Sequence, residues 1–148
     1  MSWSAEDALE LAARALGRRD FSRAALAEQL ARSGVERETA DRALDALVEA
    51  GYLDEARLAI GRARTLAERG CGDEAIAARL ARVGVGAVEI EEALAELPPE
   101  DVRARQAITA LTGGLPRRCA ALRRRGFSEW AIESALAHLD DEAEPPLA

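Results

Sequence analysis

The sequence predicts an all-α protein, built as a tandem array of three three-helix, helix-turn-helix-like repeats that form an elongated curved molecule. The main observation is an internal repeat: one apolar spacing surrounds Gly34, Gly84 and Gly126, which stand 50 and then 42 residues apart. Apolar residues occur four positions before each glycine and six, ten and thirteen positions after it. In that order they are Leu30, Leu80 and Leu122; Ala40, Ile90 and Ile132; Leu44, Leu94 and Leu136; and Leu47, Leu97 and Leu139. These intervals fit the helical period, and a glycine between two such stretches is a typical left-handed end of the first helix. The chain also has only five aromatic residues and no alternating β-branched run, so no strand is predicted.

The first repeat covers residues 4–51. Ser4 and Ser22 are suited to cap its first two helices, because a serine hydroxyl accepts hydrogen bonds from the free amides of a helix start. Gly34 then turns the chain into a third helix, which ends at Gly51.

The second repeat covers residues 52–97. Asp54 is the predicted N-cap of a long helix, and Asp73 is the predicted N-cap of the next one. Tyr52 is expected to be packed in the joint between the first two repeats. The paired prolines that begin at Pro98 suit the start of a new helix and close the repeat.

The third repeat covers residues 98–139 and is the least regular. Pro116 opens its second helix, Gly126 turns the chain, and Ser128 caps the last helix. Residues 140–148 carry four acids in their first five positions and lack periodicity, so we predict a disordered acidic tail.

Composition excludes several classes of function. Two isolated cysteines, Cys71 and Cys119, and one histidine, His138, cannot supply a usual metal site or a catalytic triad, so we predict no enzyme activity and no cofactor. No apolar run is long enough to cross a membrane, and we expect a cytoplasmic monomer. All 20 basic residues are arginine, while 27 acids make the net charge −7, which disfavours indiscriminate binding to nucleic acid.

Three stretches resemble motifs of the RecX family of recombinase regulators. They are RRDFSRAAL at residues 18–26, GYLDEARLA at residues 51–59, and GCG at residues 70–72 followed by Ile76 and Leu80. The resemblance implies an all-helical modular protein that binds the RecA recombinase along its filament on DNA and represses strand exchange and ATP hydrolysis in DNA repair and the SOS response.

The sequence also departs from that family. An acidic residue is common in the family where Ala25 stands, and an aromatic residue is usual at Leu58. Basic residues are usual after the second glycine of GCG, where this chain has Asp73 and Glu74. The changes at Leu58 and after GCG fall on a surface that the resemblance assigns to DNA or the recombinase.

Two arginine clusters are the candidate binding surfaces. The first lies on the predicted helix from Asp54 to Arg69, and it could meet phosphates or acidic patches of the recombinase. Its residues are Arg57, Arg62, Arg64 and Arg69. The alternative is a solvated helix face on which Glu55 and Glu68 pair with these arginines.

The second cluster lies near Phe127 and Trp130, and it could contact single-stranded DNA through stacked bases and bound phosphates. Its candidate residues are Arg117, Arg118, Arg124 and Arg125. The alternative places Phe127 as a staple at a helix start and Trp130 in the core.

These observations lead to a non-enzymatic regulator that binds a RecA-type recombinase filament. The alternative is a helix-turn-helix-type DNA-binding protein that acts without the recombinase. A major-groove reader needs exposed Arg, Asn or Gln on the helix after the turn, whereas the helices after Gly34, Gly84 and Gly126 are mostly acidic and alanine-rich. The sequence therefore favours the recombinase regulator.

Overall fold

The structure is a computed structural model that describes residues 2–143. This range contains nine α-helices and no strand, which confirms the predicted all-α class. The helices are α1 (Ala5–Arg18), α2 (Arg23–Arg32), α3 (Arg37–Glu49), α4 (Glu55–Glu68), α5 (Asp73–Arg82), α6 (Ala87–Ala95), α7 (Glu100–Ala110), α8 (Leu115–Arg124) and α9 (Glu129–Ala143). None of these helices combines the length and apolar character that a membrane crossing requires.

The helices form three consecutive triplets, α1–α3, α4–α6 and α7–α9. Within each triplet the first and third helices make the most extensive contact. Each triplet surrounds its own hydrophobic cluster, to which the residue four before each turn glycine contributes. These residues, Leu30, Leu80 and Leu122, are at most 1% exposed. This arrangement is consistent with three repeats, while the exact boundaries and the elongated curved shape stay predictions.

The predicted caps of four helices are present. The hydroxyls of Ser4, Ser22 and Ser128 and the carboxylate of Asp54 each accept a hydrogen bond from the amide three residues later, at 3.0–3.1 Å. The three turn glycines have φ of 90° or 91°, the left-handed conformation predicted for them. Short-range spacing in the sequence therefore locates these helix ends well.

The first two triplets meet at a joint between the start of α2 and the turn after α5. The Ser22 hydroxyl donates to the carbonyl of Val83, the residue before turn glycine Gly84. The amide of Arg23 donates to Oε1 of Glu55 at 2.6 Å. The first residue of α4 thus satisfies an amide at the start of α2 that has no partner within its own helix.

The second and third triplets meet at a similar joint. The amide of Gly72 donates to the carbonyl of Arg125 at 2.8 Å, and the amide of Asp73 donates to Oε2 of Glu100 at 2.7 Å. Asp73 is the first residue of α5, so the prediction that it caps this helix is wrong. The N-cap is Gly72, and a carboxylate from the next triplet replaces the side-chain cap.

Two other expectations differ from the structure. Tyr52 is 69% exposed, whereas its neighbour Leu53 is buried and joins the first cluster. The aliphatic side chain, and not the phenol, takes the buried position at this turn. Helix α9 also continues to Ala143, so residues 140–143 are helical although we predicted them to be disordered; the remainder of the predicted tail, residues 144–148, lies outside the described residues.

Candidate functional site

An open groove of about 650 Å³ lies between α4, α5 and the loop after α1, and its lining is strongly basic. Six arginines line it, and we call it the arginine groove: Arg19, Arg57, Arg62, Arg69, Arg79 and Arg82. Its floor is apolar and includes Leu66 and Leu80, which also belong to the second hydrophobic cluster.

Helix geometry explains why Arg62 and Arg69 of α4 reach the groove together. Successive residues are rotated by about 100°, so Arg62 and Arg69, seven residues apart, lie within about 20° of each other on the groove side. Arg57, rotated by about 120° from Arg69 around the helix, also lines the groove. Arg64 is exposed but is not among the lining residues. The structure therefore brings together three of the four predicted arginines and leaves one outside.

The guanidinium groups of the groove are not neutralised by the carboxylates of residues 2–143. None of the six forms an ion pair in this range, and Asp20 is the one acid among the described lining residues. The alternative pairing with Glu55 and Glu68 is not formed, and Glu55 instead binds the amide of Arg23. Like charges on low-dielectric walls create a positive potential that attracts an anionic partner.

One groove arginine is held in place by an aromatic ring. The guanidinium carbon of Arg19 lies 4.5 Å from the centroid of the Phe21 ring, a cation–π contact. The ring therefore orients the guanidinium of Arg19 without a carboxylate that would neutralise its charge.

Three arginines of the groove were not among the binding residues predicted from the sequence. Arg79 and Arg82 flank Leu80 on α5 and are three residues apart, and Arg19 belongs to the first RecX-like motif. The positions of Arg79 and Arg82 beside Leu80, at the centre of the repeat pattern, could have marked them as candidates. Their convergence with α4 depends on how two helices pack, which spacing along one helix does not reveal.

The second predicted cluster forms a separate basic surface on α8, which we call the α8 surface. A cleft of about 410 Å³ is lined by all four predicted arginines, Arg117, Arg118, Arg124 and Arg125, and by no described acidic residue.

One member of the α8 surface is also a structural residue. Nε of Arg118 donates to the carbonyl of Gly113 at 2.7 Å, and its Nη1 donates to the carbonyl of Ile108 at 3.4 Å. Arg118 thereby closes the carboxyl end of α7 and is less available to a partner than its exposed neighbours Arg117 and Arg124.

The aromatic residues near α8 divide between core and surface. Phe127 is buried in the third cluster, as the alternative prediction for it required. Trp130 is 63% exposed, so the prediction of a core position for Trp130 is wrong. The nearby Arg123 bonds Glu129 at 2.5 Å, a hydrogen bond that lowers the pKa of Glu129.

Comparison with known proteins assigns the chain to a family, although no family model matches it. A regulatory protein RecX from Halorhodospira halophila is 33% identical over 150 residues, which cover 95% of this chain and 93% of the relative. The chain belongs to the RecX family. A RecX regulatory protein from Acidithiobacillus ferrooxidans is 36% identical over 85 residues, or 57% of each chain.

Solved RecX structures share this fold. The crystal structure of RecX from Lactobacillus salivarius superposes with a TM-score of 0.83 at 16% identity, covering 92% of this chain and 96% of that one. A second crystal structure of a regulatory protein RecX gives a TM-score of 0.73 at 20% identity, covering 89% and 74%. The resemblance seen in the three sequence motifs is thus confirmed, and the chain is a member of a family of regulatory proteins.

Proposed function

We propose that this RecX-family chain binds a RecA-type recombinase filament on single-stranded DNA and represses its strand exchange and ATP hydrolysis. The chain would act in the cytoplasm as a monomer, without a cofactor and without catalysing a reaction. The observation that carries the proposal is the arginine groove, where six guanidinium groups surround one open depression.

The chemistry of the groove suits phosphates and carboxylates. A guanidinium group is planar and stays charged at any physiological pH, and its fixed fork of donors matches the oxygens of either anion. Several such groups in one groove can follow a nucleic-acid backbone or receive an acidic protein surface. A DNA-bound recombinase offers both kinds of partner.

The charge of the whole chain favours a composite partner over naked DNA. A net charge of −7 repels a phosphate backbone everywhere except at local basic surfaces. Binding to DNA alone would rest on the groove against this repulsion, whereas a protein–DNA filament adds contacts with the recombinase. The α8 surface supplies a second basic contact in the third triplet.

Co-sedimentation with a recombinase filament on single-stranded DNA, with naked DNA alongside, tests this function. The informative variant is Arg62→Ala with Arg69→Ala, which removes two adjacent groove charges. The matched control is Arg42→Ala with Arg64→Ala, which removes two exposed arginines that do not line the groove. We expect the groove variant to bind the filament more weakly and the control to bind as the wild type does.

The salt dependence of binding adds a second measurement. If each groove arginine neutralises one phosphate of single-stranded DNA, the slope of log affinity against log salt falls by about 1.4 in the groove variant. Equal losses in both variants would assign the effect to net charge and reject the groove. Equal wild-type binding to naked DNA and to filament would instead favour a DNA-binding protein that acts without the recombinase.

A further inference from the structure

The carbonyl before each turn glycine accepts a hydrogen bond from a preceding part of the chain. In the two joints described above, the donor comes from the start of a helix in the preceding triplet. In the first triplet, the indole Nε1 of Trp3 donates to the carbonyl of Ser33 at 3.2 Å. Its Nε1 also lies 3.7 Å from the place a Cβ on Gly34 would take. Trp3 therefore occupies the position that a helix start holds on the other two turns.

The complementary half of a joint lies free at the start of α8. Its N-cap, Gly114, has φ −70° and ψ 161°, close to the −83° and 172° of Gly72 in the second joint. Within residues 2–143, the amides of Gly114 and Leu115 have no acceptor in another triplet. Leu115 is 41% exposed.

Two residues of α8 differ from the helix start that docks in the second joint. There, the amide of Glu74 donates to the carbonyl of Gly126 at 3.1 Å. The small side chain of Ala75 lies directly against the turn, since its Cβ is 2.6 Å from the place a Cβ on Gly126 would take. At the same two positions α8 has Pro116, which has no amide hydrogen, and Arg117, which is much larger.

We propose that the Gly34 turn is a latent docking surface for the α8 helix start of a second copy of this chain, and that Trp3 keeps it closed. Pro116 and Arg117 keep the other half closed. The joint already forms twice inside each chain, so an unprotected pair of halves would form it again between chains. Because the two halves are different surfaces, such docking is head to tail and can continue beyond a dimer.

A carboxylate for this contact is also present. In both internal joints a glutamate at the start of the following triplet accepts from the docked helix, Glu55 in one and Glu100 in the other. The first triplet has Glu6 at the second position of α1, one residue later than Glu55 in α4 and Glu100 in α7, and its side chain is exposed. The first triplet thus has both chemical features of the acceptor half.

The test opens both halves in the full chain. The variant Trp3→Ala, Pro116→Glu, Arg117→Ala removes the indole and gives α8 the residues that dock in the second joint. Analytical ultracentrifugation over a concentration series should show a mass that rises past that of a dimer. The wild type, Trp3→Ala alone and the α8 pair alone should stay monomeric, because one closed half is sufficient to prevent docking.

A blocking substitution separates this contact from unspecific association. A Cβ on Gly72 would lie 2.3 Å from the amide nitrogen of Phe127, so the second joint, whose residues the triple variant copies onto α8, has no room for one. The first joint has Ser22 at the corresponding N-cap, and its hydroxyl donates to the turn, so the blocking residue is valine, which has no donor. In the free chain, the one atom among residues 2–143 near the place a Cβ on Gly114 would take is Cδ of Pro116, at 3.8 Å. Adding Gly114→Val to the triple variant should therefore restore the monomer without disturbing the fold.

Three results would overturn the proposal. They are a triple variant that remains monomeric, association that survives Gly114→Val, and equal association when Trp3 is intact. Circular dichroism checks that each variant is folded. If Trp3→Ala unfolds the chain, Trp3→Leu decides, because leucine retains an apolar contact with the first cluster but cannot donate to Ser33.

Discussion

Adding a side chain should have opposite effects on stability at two glycines of this chain, Gly17 and Gly72. Gly17 lies inside α1, and no atom of the described residues outside that helix comes within 4 Å of the place its Cβ would take, whereas a Cβ on Gly72 would meet the backbone of Gly126 and Phe127. Replacing a helical glycine by alanine reduces the entropy of the unfolded chain. Replacing Gly72 forces the second joint apart.

We therefore expect Gly17→Ala to raise the free energy of unfolding by about 0.4–1 kcal/mol and Gly72→Ala to lower it. Urea denaturation of the two variants and the wild type measures both changes. A stabilised Gly72→Ala would contradict the close backbone approach in the joint.

At the scale of elements, α7 is tied to the loop before α5 by one arginine. Arg103 is 7% exposed and donates to the carbonyls of Pro98 and Cys71, at 2.9 and 3.1 Å, and to the carboxylate of Asp73. Burial raises the pKa of the Asp73 carboxyl, and Glu100 nearby raises it further, while Arg103 opposes the shift. Arg103 thus stabilises the ionised form of the Asp73 carboxylate.

Arg103→Met should lower the free energy of unfolding by about 2–3 kcal/mol at neutral pH, because bonds from a charged donor are lost. Without the guanidinium, the pKa of Asp73 rises further above its ordinary value. A carboxyl whose pKa is higher in the folded than in the unfolded state stabilises the fold fully below its unfolded-state pKa. That contribution to the free energy of unfolding is lost as pH rises through the folded-state pKa. The deficit of the variant should therefore shrink as pH falls from 7 toward 4.

Thermal unfolding of wild type and Arg103→Met across this pH range gives the measurement. Gln106→Ala, an exposed change on the same helix, is the control and should have little effect. A deficit that grows on acidification would show that Arg103 does not act through Asp73.

At the scale of the whole molecule, a net negative chain has to bring basic surfaces to an anionic partner. The end of α9 concentrates Asp140, Asp141 and Glu142. Changing them to Asn, Asn and Gln raises the net charge by three without shortening the chain. We expect tighter filament binding at low salt, where the Debye length is about 30 Å at 0.01 M, and little change at physiological salt.

A charge-matched control distinguishes a local effect from a global one. Neutralising Glu38, Asp41 and Glu49, exposed on α3, makes the same change in net charge far along the chain from the α8 surface. If the acids of α9 screen that surface, their neutralisation strengthens binding more than the control does. Superimposed salt curves for the two variants would leave only net charge as the cause.

The sequence by itself determined the helices, their turns and most of their caps. A cap joins a side chain to an amide three residues away, and an apolar stripe repeats every three or four residues, so both are readable from local spacing. The three motifs likewise identified the family. The arginines on α4 and α8 were found as clusters because they are close along single helices.

Only the tertiary structure decided which of these side chains meet. Arg79, Arg82 and Arg19 join Arg62 in one groove because two helices and a loop pack side by side, while Arg64, on the same helix as Arg62, lies outside it. The predictions for Tyr52 and Asp73 were wrong for the same reason. Leu53 is buried where Tyr52 was expected to pack, and the carboxylate of Glu100 accepts the hydrogen bond that replaces a side-chain cap at the start of α5. Packing between elements depends on contacts across tens of residues, and no periodicity along one helix specifies them.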